Sequence, residues 1–89
     1  MREKNKNAMW RIRDMRAATG LSKSTIYDRI KKGLLPPSVK IADQAVGWPS
    51  DEICRIVAAQ IAGHSDDVIK ALVRQLVQDR QLEQGATYV

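Results

Sequence analysis

Punctuation limits what this chain can fold into more than any other feature. Glycines stand at positions 20, 33 and 63, and serines at 22, 50 and 65, so helix stop and start signals recur through the first two thirds of the sequence. The adjacent pair Pro36–Pro37 adds a break, because proline lacks an amide donor and collides with the preceding helical turn. A chain punctuated in this way folds as several short helices. Segment 12–19 is the first. It sets Ile12, Met15 and Thr19 on one face with Ala18 beside them, and Gly20 ends it. Segment 22–32 opens on Ser22, whose hydroxyl can satisfy a free N–H of the first turn, and stops at Gly33. Two short helices joined by "TGLS" form the helix-turn-helix pattern.

After the prolines the pattern changes. "SVKIA" and "AVGWP" carry β-branched Val39, Ile41 and Val46 on either side of the turn formers Asp43 and Gln44. This predicts a β-hairpin over 38–48, with Trp48 folding back as a core anchor. A third helix is expected over 51–62. Ser50 would be its N-cap, Asp51 and Glu52 would face the positive end of its dipole, and Ile53, Ile56, Val57 and Ile61 would be buried. Ser65, Asp66 and Asp67 repeat the same start signal for a fourth helix over 66–82. The expected fold is therefore mainly α with a small β-hairpin. It is a winged helix-turn-helix with an extra C-terminal helix. Residues 1–8 read as a disordered basic arm, 9–63 as the winged domain, 64–83 as the C-terminal helix and 84–89 as a flexible tail.

Charge is distributed unevenly. Residues 1–40 hold eleven Lys/Arg against three Asp/Glu, whereas residues 41–89 hold four against seven. A basic first half and a mildly acidic second half suggest one face for a polyanion and another for something else. The single cysteine, Cys54, excludes an intrachain disulfide, and it is expected to be partly buried rather than reactive. No apolar run is long enough to span a membrane and no signal-peptide pattern is visible, so a cytoplasmic setting is expected. Neither a nucleophile–base spacing nor a glycine-rich phosphate loop nor a catalytic carboxylate pair is present, which leaves an enzyme reading without support. His64 is expected in a loop. With no second histidine, neither a metal site nor a cofactor is expected.

Turned at about 100° per residue, segment 22–32 separates into two faces. Ile26 and Ile30 point to the core. Ser24, Asp28, Lys31 and Lys32 point away, with Thr25 and Tyr27 on the flanks and Arg29 at the core edge. Hydroxyls, an acid, a phenol and several cations on one exposed face suit a DNA major groove. Hydroxyls bond base edges or phosphates, an acid accepts from cytosine N4, and Lys or Arg bond guanine or phosphate. The expected DNA-contacting set is Lys23, Ser24, Thr25, Tyr27, Asp28, Arg29, Lys31, Lys32, Lys40 and Gln44. The last two belong to the hairpin, which would lie as a wing on the adjacent backbone or minor groove. The arm from Arg2 to Lys6 would add phosphate contacts. The plainer alternative is a solvated helix face with incidental charges.

The stretches "TGLSKSTIY", "KKGLLPPSVKI" and "AVGWPSDEI" together resemble the AlpA-type phage and prophage regulators, small winged-helix proteins close to excisionases and to the MerR-like DNA-binding fold. The resemblance covers about residues 9–62. It implies a double-stranded-DNA-binding transcriptional regulator, phage-encoded or acting on the bacterial nucleoid, with a recombinase or RNA polymerase as a further partner. Ser22, Ser24, Thr25, Ile26 and Tyr27 match the start of the family's recognition helix, and Gly47 and Trp48 match its wing return. Two positions depart from the family pattern. Asp28 stands where a basic residue is usual, and Arg29 where an apolar one is usual. Either the specificity differs, or Asp28 and a neighbouring cation hold each other off the bases.

Beyond the resemblance, the fourth helix carries a broad apolar stripe of Ile69, Leu72, Val73 and Leu76, with Lys70, Arg74, Asp79 and Arg80 read as its polar opposite face. The stripe can pack on its own domain or pair with the same helix of a second copy. Pairing is the expectation adopted, which makes those four residues a homodimer seam. Three other functions compete with a transcriptional regulator. They are an excisionase-like architectural factor, a DNA binder like a terminase small subunit, and a protein-interaction module that inhibits another regulator.

Overall fold

The computed structural model describes the backbone of residues 8–88 and the side chains of residues 8–80. The basic arm expected over residues 1–8 lies almost wholly outside the described residues. Seven elements follow in order: β1 (Met9–Trp10), α1 (Ile12–Thr19), α2 (Lys23–Lys31), β2 (Val39–Ala42), β3 (Ala45–Pro49), α3 (Ser50–Ile61) and α4 (Asp66–Tyr88). The three strands form an antiparallel sheet in the order β1-β3-β2. The architecture is a winged helix-turn-helix with an added C-terminal helix, as its punctuation predicts.

Local chemistry explains each boundary. Asp14 accepts the Arg11 backbone N–H at 3.0 Å and so opens α1. Gly20 closes α1 with φ +74°, a left-handed conformation that costs a side chain-bearing residue and leaves glycine unstrained. Two residues later the Ser22 hydroxyl accepts the Thr25 N–H at 3.3 Å and starts α2. Ser65 does the same for α4 through the Val68 N–H at 3.3 Å. The α3 boundary differs from expectation. Pro49 is the N-cap and Ser50 is the first helical residue, buried rather than exposed. The Ser50 N–H reaches the Ala8 carbonyl at 2.9 Å, which extends the β1–β3 pairing into the helix start.

β1 is an addition to the expected two-stranded hairpin. Trp10 faces Trp48 and Met9 faces Pro49 across its ladder. Two residues are too few to show an alternating pattern, and only the open edge of β3 gives them a place to pair. In the hairpin itself Val39 faces Gly47 and Lys40 faces Val46, with an irregularity at Ile41. Gly47 is required there by space. A Cβ on it would stand 2.5 Å from Ile41 Cδ1 and 3.0 Å from the Trp10 carbonyl.

The core joins all four helices to the sheet. Met15, Ile26, Trp48, Ile53 and Ile56 are fully enclosed, and Leu34 and Leu35 enter from the α2–β2 loop. Trp48 is the anchor predicted for it, and its indole N–H donates to the Pro36 carbonyl at 3.1 Å. In α3, Ile53 and Ile56 are buried as expected, but Ile61 is 82 % exposed and Cys54 is exposed as well. At about 100° per residue Ile61 lies about 140° from Ile56, on the edge of α3 that carries exposed Cys54, whereas Ala59 lies about 60° from Ile56 and is buried.

α4 packs on its own domain. Ile69, Val73 and Leu76 are 3 %, 6 % and 4 % exposed and belong to the core of a single chain, with Leu72 packed beside them. Ile69, Val73 and Leu76 are taken up by the domain's own core, the self-packing alternative, which leaves those three little surface for a seam with a second copy. The physical reason is the small size of the winged domain. Six short elements leave apolar surface open on α3 and on the α2–β2 loop, and α4 covers it. The helix runs to Tyr88, beyond the end expected near residue 82.

Candidate nucleic-acid interface

α2 presents the expected face. Lys23, Ser24, Tyr27, Asp28, Lys31 and Lys32 are exposed, Thr25 and Arg29 are half-buried, and Ile26 is fully enclosed. The hydroxyls at its N-terminus are organised by one another. Ser22 Oγ donates to Thr25 Oγ1 at 2.9 Å and lies 3.3 Å from Ser24 Oγ. Three hydroxyls thus form one cluster at the positive end of the helix, where oxygen acceptors of a ligand are favoured.

The charges of α2 are only partly paired. Lys32 Nζ lies 3.0 Å from Asp28 Oδ2, and both side chains stay largely in solvent. Asp28 is thus matched one turn on by a cation. Arg29 sits at the core edge as the helix wheel predicts. Its Nε is enclosed and has no hydrogen-bond partner among the described residues.

The wing is tied to α2 through the core. The Tyr27 ring lies 6.1 Å from the Trp48 ring at an interplanar angle of 59°, within the range of a tilted aromatic pair. The 42 % exposed phenol therefore leans on the base of the hairpin. Lys40 on β2 and Gln44 in the turn are both exposed. Ile41 and Val46, at 44 % and 40 %, give the wing an apolar component that the expected set omits.

Behind the wing lies a shielded ion pair whose partners, 28 residues apart, nothing in the sequence joins. Arg80 Nε donates to Glu52 Oε2 at 2.8 Å, and a terminal nitrogen of the same guanidinium donates to Glu52 Oε1 at 2.6 Å. That nitrogen also donates to the Pro37 carbonyl at 3.0 Å. Glu52, in the first turn of α3 as the dipole reading expects, is also buried, at 5 % exposure. Arg80, read as part of the polar face of α4, is on the apolar side. The spacing does hold that signal, because positions 69, 73, 76 and 80 follow the i, i+4, i+7, i+11 repeat of one helical face.

Elsewhere, an apolar groove of about 210 Å³ is lined by Trp10, Ala18, Cys54, Val57, Ala58 and Ile61. It offers no charged side chain to a phosphate. Among the described residues no group of His, Cys, Asp and Glu is placed to hold a metal ion. None of the described helices is long and apolar enough to cross a membrane.

A winged helix-turn-helix with a cationic, hydroxyl-rich second helix defines the class of small helix-turn-helix regulators. Within it, residues 8–60 match the family described as prophage CP4-57 regulatory protein (AlpA), and this chain belongs to that family. Over 53 residues it is 40 % identical to an uncharacterized protein, ORF88, of Enterobacteria phage P4. The match spans 60 % of this chain and 60 % of that relative's length. No solved structure matches.

Proposed function

We propose that this chain is a sequence-specific DNA-binding transcriptional regulator of the phage and prophage type. In this reading α2 enters the major groove and the hairpin lies on the adjacent backbone or minor groove. The observation that carries it is the exposed face of α2, where Lys23, Ser24, Asp28, Lys31 and Lys32 stand clear of a helix whose opposite side is locked into the core by Ile26. A helix held from behind, with donors and acceptors in front, suits direct readout of base edges. Ser24, Thr25 and Asp28 read bases. Lys23, Arg29, Lys31, Lys32 and Lys40 bind phosphates, Tyr27 braces the helix against the wing, and Gln44 adds a polar contact at the wing tip. Double-stranded DNA is the partner, and the cytoplasm, where a phage genome or the nucleoid is reached, is the place of action.

The exposed pair Asp28–Lys32 sharpens this reading. Asp28 is pre-paired in the free chain, so Lys32 is drawn toward the helix and is less free to seek a phosphate. Selecting sites from a random duplex pool with the unmodified chain is the test. One enriched motif, with affinity falling roughly tenfold or more for a threefold rise in salt, is the expected result for a handful of phosphate contacts. Tight binding that ignores salt and sequence would favour the protein-interaction alternative.

A further inference from the structure

We propose that Arg80, on the helix beyond the family-matched residues, is a positioning residue for the wing. By clamping both ends of the hairpin it sets where Lys40 and Gln44 meet DNA. The inference rests on the DNA-binding reading and adds to it a part played by α4.

The geometry has three parts. First, the guanidinium holds two separate pieces of the chain. Pro37 lies two residues before β2 begins at Val39, and Glu52 lies three residues after β3 ends at Pro49. One side chain therefore ties the chain entering the hairpin to the chain leaving it. Second, the Trp48 indole bond to the Pro36 carbonyl makes a parallel link one residue earlier. Two consecutive carbonyls at the hairpin base are thus held by two different elements, β3 and α4. Third, the anchorage is shielded, with side-chain exposures of 19 % for Arg80 and 7 % for Glu52. Charge-assisted bonds in such surroundings are short and directional, and the planar fork of arginine matches a carboxylate in a way an ammonium cannot.

The wing needs such an anchor. Its outer part carries exposed Ile41, Val46, Lys40 and Gln44, so its tilt is set mainly at its base. A rotation at the base is magnified at the tip, and an ammonium displaced by an ångström or two no longer bonds a phosphate oxygen directly. The segment that would otherwise set the angle, Pro36–Pro37, has no backbone N–H with which to bond its neighbours. The Pro36 ring is buried in the core, Pro37 is exposed, and the two carbonyls are held by Trp48 and Arg80.

A purely structural role would lower stability and leave the wing's meeting with DNA unchanged once the chain is folded. The two roles are separated by Arg80→Met, which keeps the stem and deletes the three bonds, combined with Lys40→Gln. Affinity for the selected duplex is measured against salt, below the melting midpoint of every variant. In the unmodified chain Lys40→Gln lowers the salt slope by about one unit. In the Arg80→Met chain the slope is already lower by about one unit, and adding Lys40→Gln lowers it by less than about half a unit. Arg80→Lys, which keeps the charge and loses the fork, falls between the two. Should Arg80→Met not fold, Glu52→Gln removes the charge with little change of shape and is read in the same way. An undiminished Lys40→Gln effect in the Arg80→Met or Glu52→Gln chain would overturn the positioning role while leaving DNA binding intact. A Lys40→Gln variant of the otherwise unmodified chain with full affinity and slope removes the wing from the interface, and the proposal with it. Failure of the unmodified chain to bind any duplex overturns the DNA reading itself.

Discussion

Two ion pairs in this molecule look alike in sequence and differ in every physical respect. Asp28–Lys32 joins residues four apart on α2 at 3.0 Å, with side-chain exposures of 52 % for Asp28 and 63 % for Lys32. Glu52–Arg80 joins α3 to α4 across a separation of 28 residues at 2.6 Å, and its exposures are 7 % and 19 %. Water competes with the first pair and salt screens it, so its contribution is about 0.3–0.5 kcal/mol. The second has lost most of its hydration, and the charge of each partner is compensated there by the other. The lesson concerns whole helices. α2 keeps its polar groups outward and unspent, available to a ligand. α4 turns its best donor inward and uses it to complete the fold.

Breaking the buried pair should give the largest effect. Glu52→Ala leaves the Arg80 guanidinium shielded and without its carboxylate, at a cost of about 3–5 kcal/mol. In a domain of this size that is a large share of the total stability. A thermal or urea midpoint measures it, and a loss below about 1 kcal/mol would mean that Arg80 simply turns to solvent.

The next effect tests whether α4 belongs to the core. Leu76→Ala opens a cavity where the side chain is 4 % exposed, which costs about 3 kcal/mol for a leucine so placed. Sedimentation of the same variant should show the mass of the unmodified chain. A dimer that dissociates on this substitution would return Leu76 to an intermolecular seam.

The smallest effect on stability belongs to the exposed pair. Asp28→Ala should change the unfolding free energy by no more than about 0.5 kcal/mol. Its influence on DNA is of a different kind. Removing the acid frees Lys32 and deletes a base acceptor, so the enriched motif should change at one position even though the fold does not. A variant that selects the same motif as the unmodified chain would show that Asp28 serves only to hold Lys32.

Much of the winged domain was legible because its signals are local. Gly20, Ser22 and Ser65 mark helix ends through bonds that span four residues or fewer. The α2 face is read by counting about 100° per residue, and the hairpin by β-branched runs around a turn. The candidate contact residues on α2 and the wing follow from the same counting. The judgements that failed are ones that turned on a distant part of the fold. Ile61 has the hydrophobicity of a core residue and stands eight positions after buried Ile53, yet at the last residue of α3 it stays exposed, because the fold and not the helix wheel decides what is covered. Met9 and Trp10 become a strand because the edge of β3 is open beside them.

α4 shows the division most clearly. From its pattern alone an apolar stripe must be buried, because leaving it in water forfeits about 25 cal/mol per Å². That argument is the same whether the cover is the chain's own domain or a second copy, since hydrophobic burial has no direction. Periodicity determined that Ile69, Val73, Leu76 and Arg80 share a face. Only the tertiary structure decided that the face turns onto α3 and the α2–β2 loop, where Glu52 and the Pro37 carbonyl wait for the guanidinium. Helical period is a property of consecutive residues, whereas a charge's partner across the fold depends on where two helices cross.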